Sequence, residues 1–221
     1  MKIKKILIAA VFAMFSSANV NAIEMPSLDG FSMGVSGTGW DFGDAKGSET
    51  TSSETRTETI QAILGSVFVE YDLGPMSVGV DFVPYKLESE TSENNQNSPL
   101  LTDSGRTLVQ ADIKQHTTAY VVVPVIDTGL FVRAAIMDAK LITNETMATN
   151  SQYGNADLEG FAVTVGYEID TGTGVTIRAE AGHAEYDDIS ITGTGGDDDA
   201  NTVSLTGLDG PTAKLSIVKS F

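Results

Sequence analysis

Ala213-Lys-Leu-Ser-Ile-Val-Lys-Ser-Phe221 closes the chain: Ala213, Leu215 and Ile217 are apolar at every second position, with Lys214 and Ser216 between them, and the last residue is aromatic. A two-residue period of this kind reads as a β-strand with one apolar face. A chain that stops inside a strand leaves a row of unpaired backbone groups, an edge that has to be covered. Pairing that edge with the first strand of a closed barrel removes it.

The same period recurs upstream. Val78, Val80 and Phe82 alternate with Ser77, Gly79 and Asp81; Leu130, Val132, Ala134 and Ile136 with Phe131, Arg133 and Ala135; Phe161, Val163, Val165, Tyr167 and Ile169 with Ala162, Thr164, Gly166 and Glu168. Val175, Ile177, Ala179 and Ala181 alternate with Thr176, Arg178, Glu180 and Gly182, and Ile63, Val67, Val69 and Tyr71 share a face opposite Ser66, Phe68 and Glu70. Met33 and Val35 mark a strand near the amino terminus, and the stretch from Leu108 to Val125 is a strand whose parity the pattern leaves open. With the terminal strand these make eight.

Connections alternate in length. Asp72-Leu73-Gly74-Pro75, Ile126-Asp127-Thr128-Gly129 and Asp170-Thr171-Gly172-Thr173 are tight turns built from residues that tolerate turn dihedrals. Long polar stretches, Asp41 to Thr57, Glu88 to Arg106, Thr143 to Asp157 and Asp187 to Gly210, separate them. The order long, short, long, short, long, short, long is that of an all-β, eight-stranded antiparallel transmembrane β-barrel with short periplasmic turns, long extracellular loops and both termini on the periplasmic side. A soluble sandwich or lipocalin-like barrel would carry its apolar face inward and a solvated outer face. The second face here is rich in Gly, Ala, Ser and Thr as well as charge, as a narrow lumen requires.

The amino terminus is an export signal. Lys2, Lys4 and Lys5 precede an uncharged stretch from Ile6 to Phe15, followed by Val20-Asn21-Ala22 as a small-residue cleavage site. The expected division is residues 1–22 as signal peptide and 23–221 as barrel. Composition then excludes several classes of function. Without the signal lysines, ten basic residues face 30 acidic ones, a net charge of −20, which repels nucleic acid. There is no cysteine, so disulfides, thiol nucleophiles and thiolate metal ligands are excluded.

Over everything after the signal, residues 23–221, the chain resembles the small eight-stranded outer-membrane barrels: the OmpA transmembrane domain, OmpX-type proteins and the opacity-like surface barrels. The resemblance rests on strand number, loop order and terminal Phe221. It implies residence in the cell outer membrane of a Gram-negative bacterium and assembly by the barrel-assembly machinery through the last strand. Lys219 departs from the pattern, which commonly has an aromatic or apolar residue two positions before the end.

Alternation places Glu70, Asp81, Glu168 and Glu180 on the same inner face as Arg133, Arg178 and Lys214. An eight-stranded lumen is just wide enough for its side chains, so these charges are expected to form a plug of ion pairs; the competing reading is a gated pore. The stretch Asp187 to Gly210 holds six Asp, including Gly195-Gly-Asp-Asp-Asp199, and no Lys or Arg. It reads as a solvated loop, with calcium binding as the sharper alternative. Lipid and lipopolysaccharide are the expected partners, with divalent cations as one bridge between loop carboxylates and phosphates. No cofactor, metal or catalytic residue is assigned, and no enzyme is expected. A lipid-modifying hydrolase would need a Ser beside His183, which faces outward with Asp187 close in sequence. Asp112 and His116 read as sharing a strand face. Tyr71, Tyr167 and Phe221 are expected at the periplasmic rim, Trp40, Tyr85 and Tyr186 at the outer one. The function expected is structural or surface interaction through acidic loops, with a small-solute channel as the alternative.

Overall fold

The computed structural model describes residues 29–50, 55–96, 105–126, 128–147, 151–195 and 201–221. The expected signal peptide and residues 196–199 of the acidic run lie outside them. The strands are β1 (Phe31–Glu49), β2 (Thr55–Asp72), β3 (Ser77–Phe82), β4 (Leu87–Glu88), β5 (Ser92–Gln96) and β6 (Gly105–Pro124) in the first half of the chain. They continue as β7 (Leu130–Thr146), β8 (Ala156–Asp170), β9 (Val175–Tyr186), β10 (Ile189–Thr192), β11 (Thr202–Thr206) and β12 (Asp209–Ser220). Eight of them form a ring, β1-β12-β9-β8-β7-β6-β3-β2 and back to β1, with antiparallel pairing at each step. β4 and β5 pair with β6 beyond the end of β3, and β10 and β11 form a hairpin beyond β9 and β12.

Closure uses the strand read first. β12 pairs with β1 from Ser32↔Ser220 to Trp40↔Thr212, and the Phe221 amide donates to the Phe31 carbonyl at 3.0 Å. Two of the tight turns share one device. The Gly74 amide donates to Asp72 Oδ1 at 2.7 Å and the Gly172 amide to Asp170 Oδ1 at 2.8 Å, and both glycines hold positive φ, 93° and 74°. An Asx turn followed by a left-handed residue selects the sequence Asp-X-Gly at each.

The apolar faces point away from the axis. Along β8, Val163 and Val165 are 47 % and 56 % exposed, while Thr164 between them is 7 % exposed. Val80, Val132, Ile136, Ile177 and Leu215 are likewise exposed, so the ring wears a continuous apolar belt. Surface of that extent needs an apolar solvent. The soluble alternative would gather these residues inside, and it is ruled out. Phe31, Tyr71, Tyr167 and Phe221 stand exposed at the turn end, where Phe31 and Tyr71 rings touch at 4.9 Å. The protein is a transmembrane β-barrel of the outer-membrane type.

Inside, volume is matched across the ladder by pairing glycine with aromatic rings. Gly34 faces Phe68, Gly79 faces Tyr120, Gly166 faces Phe131 and Gly160 faces Tyr186 as direct cross-strand partners. A Cβ on Gly34, Gly79 or Gly166 would fall inside the partner's ring. Each glycine makes room for a ring to lie flat against the wall, and the lumen fills with aromatic carbon.

Above the belt the ladder becomes irregular, and the long extracellular stretches carry paired strands of their own. β1 and β2 continue as a paired hairpin to Ser48↔Thr55, β6 and β7 to Leu108↔Thr146, and the stretch Asp187 to Gly210 carries β10, β11 and the start of β12. The strand carrying Val78, Val80 and Phe82 ends at Phe82. Pro84 follows, and the Tyr85 hydroxyl accepts the Gly65 amide proton where a ladder bond would otherwise form. In β6 a bulge lies between Lys114 and Thr117, with Gln115 at φ 55°. An extra residue inverts parity on either side of itself. This is why the pattern from Leu108 to Val125 is ambiguous.

Candidate functional site

The lumen holds the predicted charges, and it holds all seven. Arg178 lies at the hub of one group, donating from Nη1 and Nη2 to the two oxygens of Glu70 at 2.7 and 3.0 Å and from Nε to Glu168 at 3.0 Å. The Tyr120 hydroxyl donates to the same Glu70 at 3.1 Å. Arg133 centres the other: its guanidinium stacks 3.7 Å from the Tyr120 ring centre, 3.5 Å from Glu180 and 3.9 Å from Asp81. Lys214 donates to Asp81, and Thr164 donates to Glu180 at 2.8 Å. Three cations meet four carboxylates, and Glu168, the one nearest the turn end, is also the most exposed of them.

Apolar side chains pack among these charges and cap them on the outer side. Phe68, Tyr120, Val122, Phe131 and Val218 form one buried cluster at the level of the charges, with Arg178 over the Phe131 ring at 5.6 Å and Lys214 over the Phe68 ring at 5.5 Å. Towards the outer mouth, Phe42, Met137, Leu158, Tyr186, Ile189 and Leu208 form a second buried cluster, with Trp40 against it. Trp40 lies 5.2 Å from the His116 ring and 5.7 Å from the Tyr186 ring, and His116 Nε2 is hydrogen-bonded to the Tyr186 hydroxyl at 2.6 Å. The expectation that Trp40 and Tyr186 are outer-rim aromatics is therefore corrected: both turn inward and cap the lumen. Cavities of about 50 and 10 Å³ remain, one under this cap and one among the charges. The larger has room for a few water molecules beside His116 Nδ1 and Arg133 Nε, which have no protein partner. Neither is a pore.

The histidines are separated from catalytic partners. His116 is buried in the lumen cap. Asp112 does not share its face, because the bulge at Gln115 intervenes: Asp112 pairs in register with Ile142, on the outer face with Lys140 and Asp138, while Ile113 and Leu141 point in. His183 does face outward, but its near carboxylate is Asp209 at 3.7 Å rather than Asp187. Its cross-strand neighbours are Val163 and Pro211, so neither adjoining strand sets a serine beside it. Among the described residues, no three His, Asp or Glu are grouped to hold a metal ion.

Just above the belt the outer face carries charge. Lys86 pairs with Glu88 at 2.6 Å and Asp112 at 3.2 Å, and these carboxylates hold its ammonium above the ordinary lysine value. Lys114 and Lys140 are direct cross-strand partners, and Lys140 lies 3.5 Å from Asp157. Sequence reasoning missed this row because the bulge in β6 decides which of its residues face out.

No protein-family model and no curated protein matches the sequence. Among solved structures the chain is similar to Neisserial surface protein A, at 8% identity over 87% of this chain and 98% of that one, with a TM-score of 0.38. Ail, the attachment invasion locus protein of Yersinia pestis, solved with the heparin analogue sucrose octasulfate, is 12% identical over 87% of this chain and 99% of that one, at a TM-score of 0.41. The toluene transporter TodX of Pseudomonas putida is 12% identical over 89% of this chain and 59% of that one, at 0.36. The closed ring and the apolar belt, rather than these likenesses, carry the assignment.

Proposed function

We propose that the protein is a non-conducting barrel of a Gram-negative outer membrane that serves as a rigid mount for a cell-surface interaction. One observation carries this reading: the lumen is filled by paired charges with aromatic rings packed among them, and a buried apolar cluster with Trp40 covers them towards the outer mouth. A conducting pore needs a continuous wet path, and burying these charges is tolerable only because each has a partner. Interaction is thereby left to the extended hairpins above the membrane and to the charged outer rim. Lipopolysaccharide phosphates are the proposed neighbours of Lys86, Lys114 and Lys140, with divalent cations bridging to the adjoining carboxylates.

Planar-bilayer recording of the refolded barrel tests it. The expected trace has no resolved steps above the bare membrane. Steady single-channel openings with the unmodified sequence would replace this reading with a small-solute channel.

A further inference from the structure

Beyond the belt, between β5, β6, β7 and the segment after β7, a groove of about 650 Å³ opens on the barrel's outer side. That volume falls within the roughly 300–1,000 Å³ of small-molecule sites. We propose that this groove binds a neutral or amino-substituted oligosaccharide; the proposal rests on the surface-interaction reading above and names its ligand class.

The lining is polar in the particular way that sugars require. Gln110 and Asn144 are direct cross-strand partners, so two primary amides stand side by side, with Thr146, Gln152 and Tyr153 around them. Gln110 Nε2 donates to the Ser89 carbonyl at 3.2 Å and Asn144 donates to Asp112, which leaves each amide its second N–H and its carbonyl oxygen for the hydroxyls of a hexose. Tyr153 adds an aromatic surface for the carbon face of a sugar ring. Its hydroxyl accepts from Asn201 Nδ2 at 2.9 Å, its amide donates to the Glu145 carboxylate, and its ring lies against Gly193, where a Cβ would come to 3.1 Å.

The groove is built in advance of any ligand. Gln152 exchanges two backbone hydrogen bonds with Thr194, each 2.9 Å, which ties the segment after β7 to the end of β10. Thr143 binds the same segment through the Gly154 carbonyl and Asn155 Oδ1, both at 3.1 Å. Ordering costs of association are thus largely met by the fold. Charge sets the class of sugar. Among the described residues no Lys or Arg lines the groove, Glu145 is its one carboxylate, and the chain as a whole is acidic. Inside the groove a sulfate or phosphate would face the Glu145 carboxylate with no described cation lining it.

The test uses the full barrel in lipid nanodiscs and titration calorimetry with four probes: chitotriose, chitosan trimer, a lipopolysaccharide core oligosaccharide stripped of lipid A and phosphate, and a sulfated heparin disaccharide. Binding of at least one of the first three is expected, with none to the sulfated sugar. Asn144→Ala should weaken it about tenfold, the worth of one good hydrogen bond. Gln152→Trp, which fills the groove, should abolish it. Both positions are exposed, and an unchanged heat-dependent gel shift will show that each variant folds. Preference for the core oligosaccharide would name the surrounding lipopolysaccharide as the source, and preference for a chitin or chitosan trimer a glycan from elsewhere. Silence from all three unsulfated sugars, tighter binding of the sulfated one, or binding indifferent to both variants would overturn the proposal, while leaving the closed-lumen reading to stand or fall on conductance.

Discussion

Within the belt and above it, the same strands obey different rules. Along β8, lipid on one side and a packed lumen on the other force a strict two-residue alternation, from exposed Phe161 to exposed Tyr167 with inward residues between. Along the upper part of β6 that constraint is absent. The strand takes a bulge at Gln115, Asp112 changes face, and the β2–β3 ladder stops at Val67↔Phe82. Where two unlike solvents flank a wall, a one-residue slip moves every side chain into the wrong medium, so register is strongly specified. Above the membrane the outer face meets water instead of lipid, so a polar residue turned outward there is tolerated and a bulge costs less. The lower half is a fixed mount, and the upper half is where shape is free to serve a ligand.

The largest expected effect breaks the lower half. Arg178→Ala strands Glu70, which is 4 % exposed and, among the described residues, otherwise bonded by Tyr120 alone, and should cost about 3–5 kcal/mol, the usual penalty for orphaning a buried charge. Urea unfolding followed by the heat-dependent gel shift measures it. A loss below 1 kcal/mol, the range of an exposed surface pair, would mean that water reaches the charge layer.

A smaller effect is expected at Gly166→Ala. The new methyl occupies the place of the Phe131 ring, itself 1 % exposed, and displacing that ring should cost about 1–3 kcal/mol by overpacking. The same change at Gly37, where nothing lies within 4 Å of a Cβ, should be silent and serves as the internal control.

The smallest effect sharpens the upper half, and its sign is opposite. Gln115 holds φ 55°, a left-handed conformation that costs a residue with a Cβ about 1–2 kcal/mol. Gln115→Gly should therefore raise stability by about 1 kcal/mol. A fall of that size would show that the bulge is stabilised by Gln115 itself rather than imposed by the register around it.

This contrast also explains what the sequence reveals unaided. The outward belt, the inward Glu70, Asp81, Arg133, Arg178, Glu180 and Lys214, and the Asp-X-Gly turns are legible because parity and turn dihedrals are local properties. Which charges pair is not legible: Arg178 and Glu70 lie 108 residues apart and meet only across the closed lumen. Trp40 and Tyr186 read as rim aromatics, since strand position alone does not distinguish an inward cap from an outward girdle. The groove residues Gln110, Asn144 and Gln152 carry no motif. They come together through the extension of β6 and β7 past the membrane and through the Gln152–Thr194 bridge.

The central claim is that the apolar wall faces lipid and the mixed, charged wall faces a closed interior. Nitroxide scanning from Phe161 to Ile169, straightforward in a chain without cysteine, tests it directly through collision with oxygen dissolved in the bilayer. The expected profile has maxima at residues 161, 163, 165, 167 and 169 and minima at each residue between. Maxima at 162, 164, 166 and 168, or a flat profile with equal access of a water-soluble nickel chelate throughout, would contradict it.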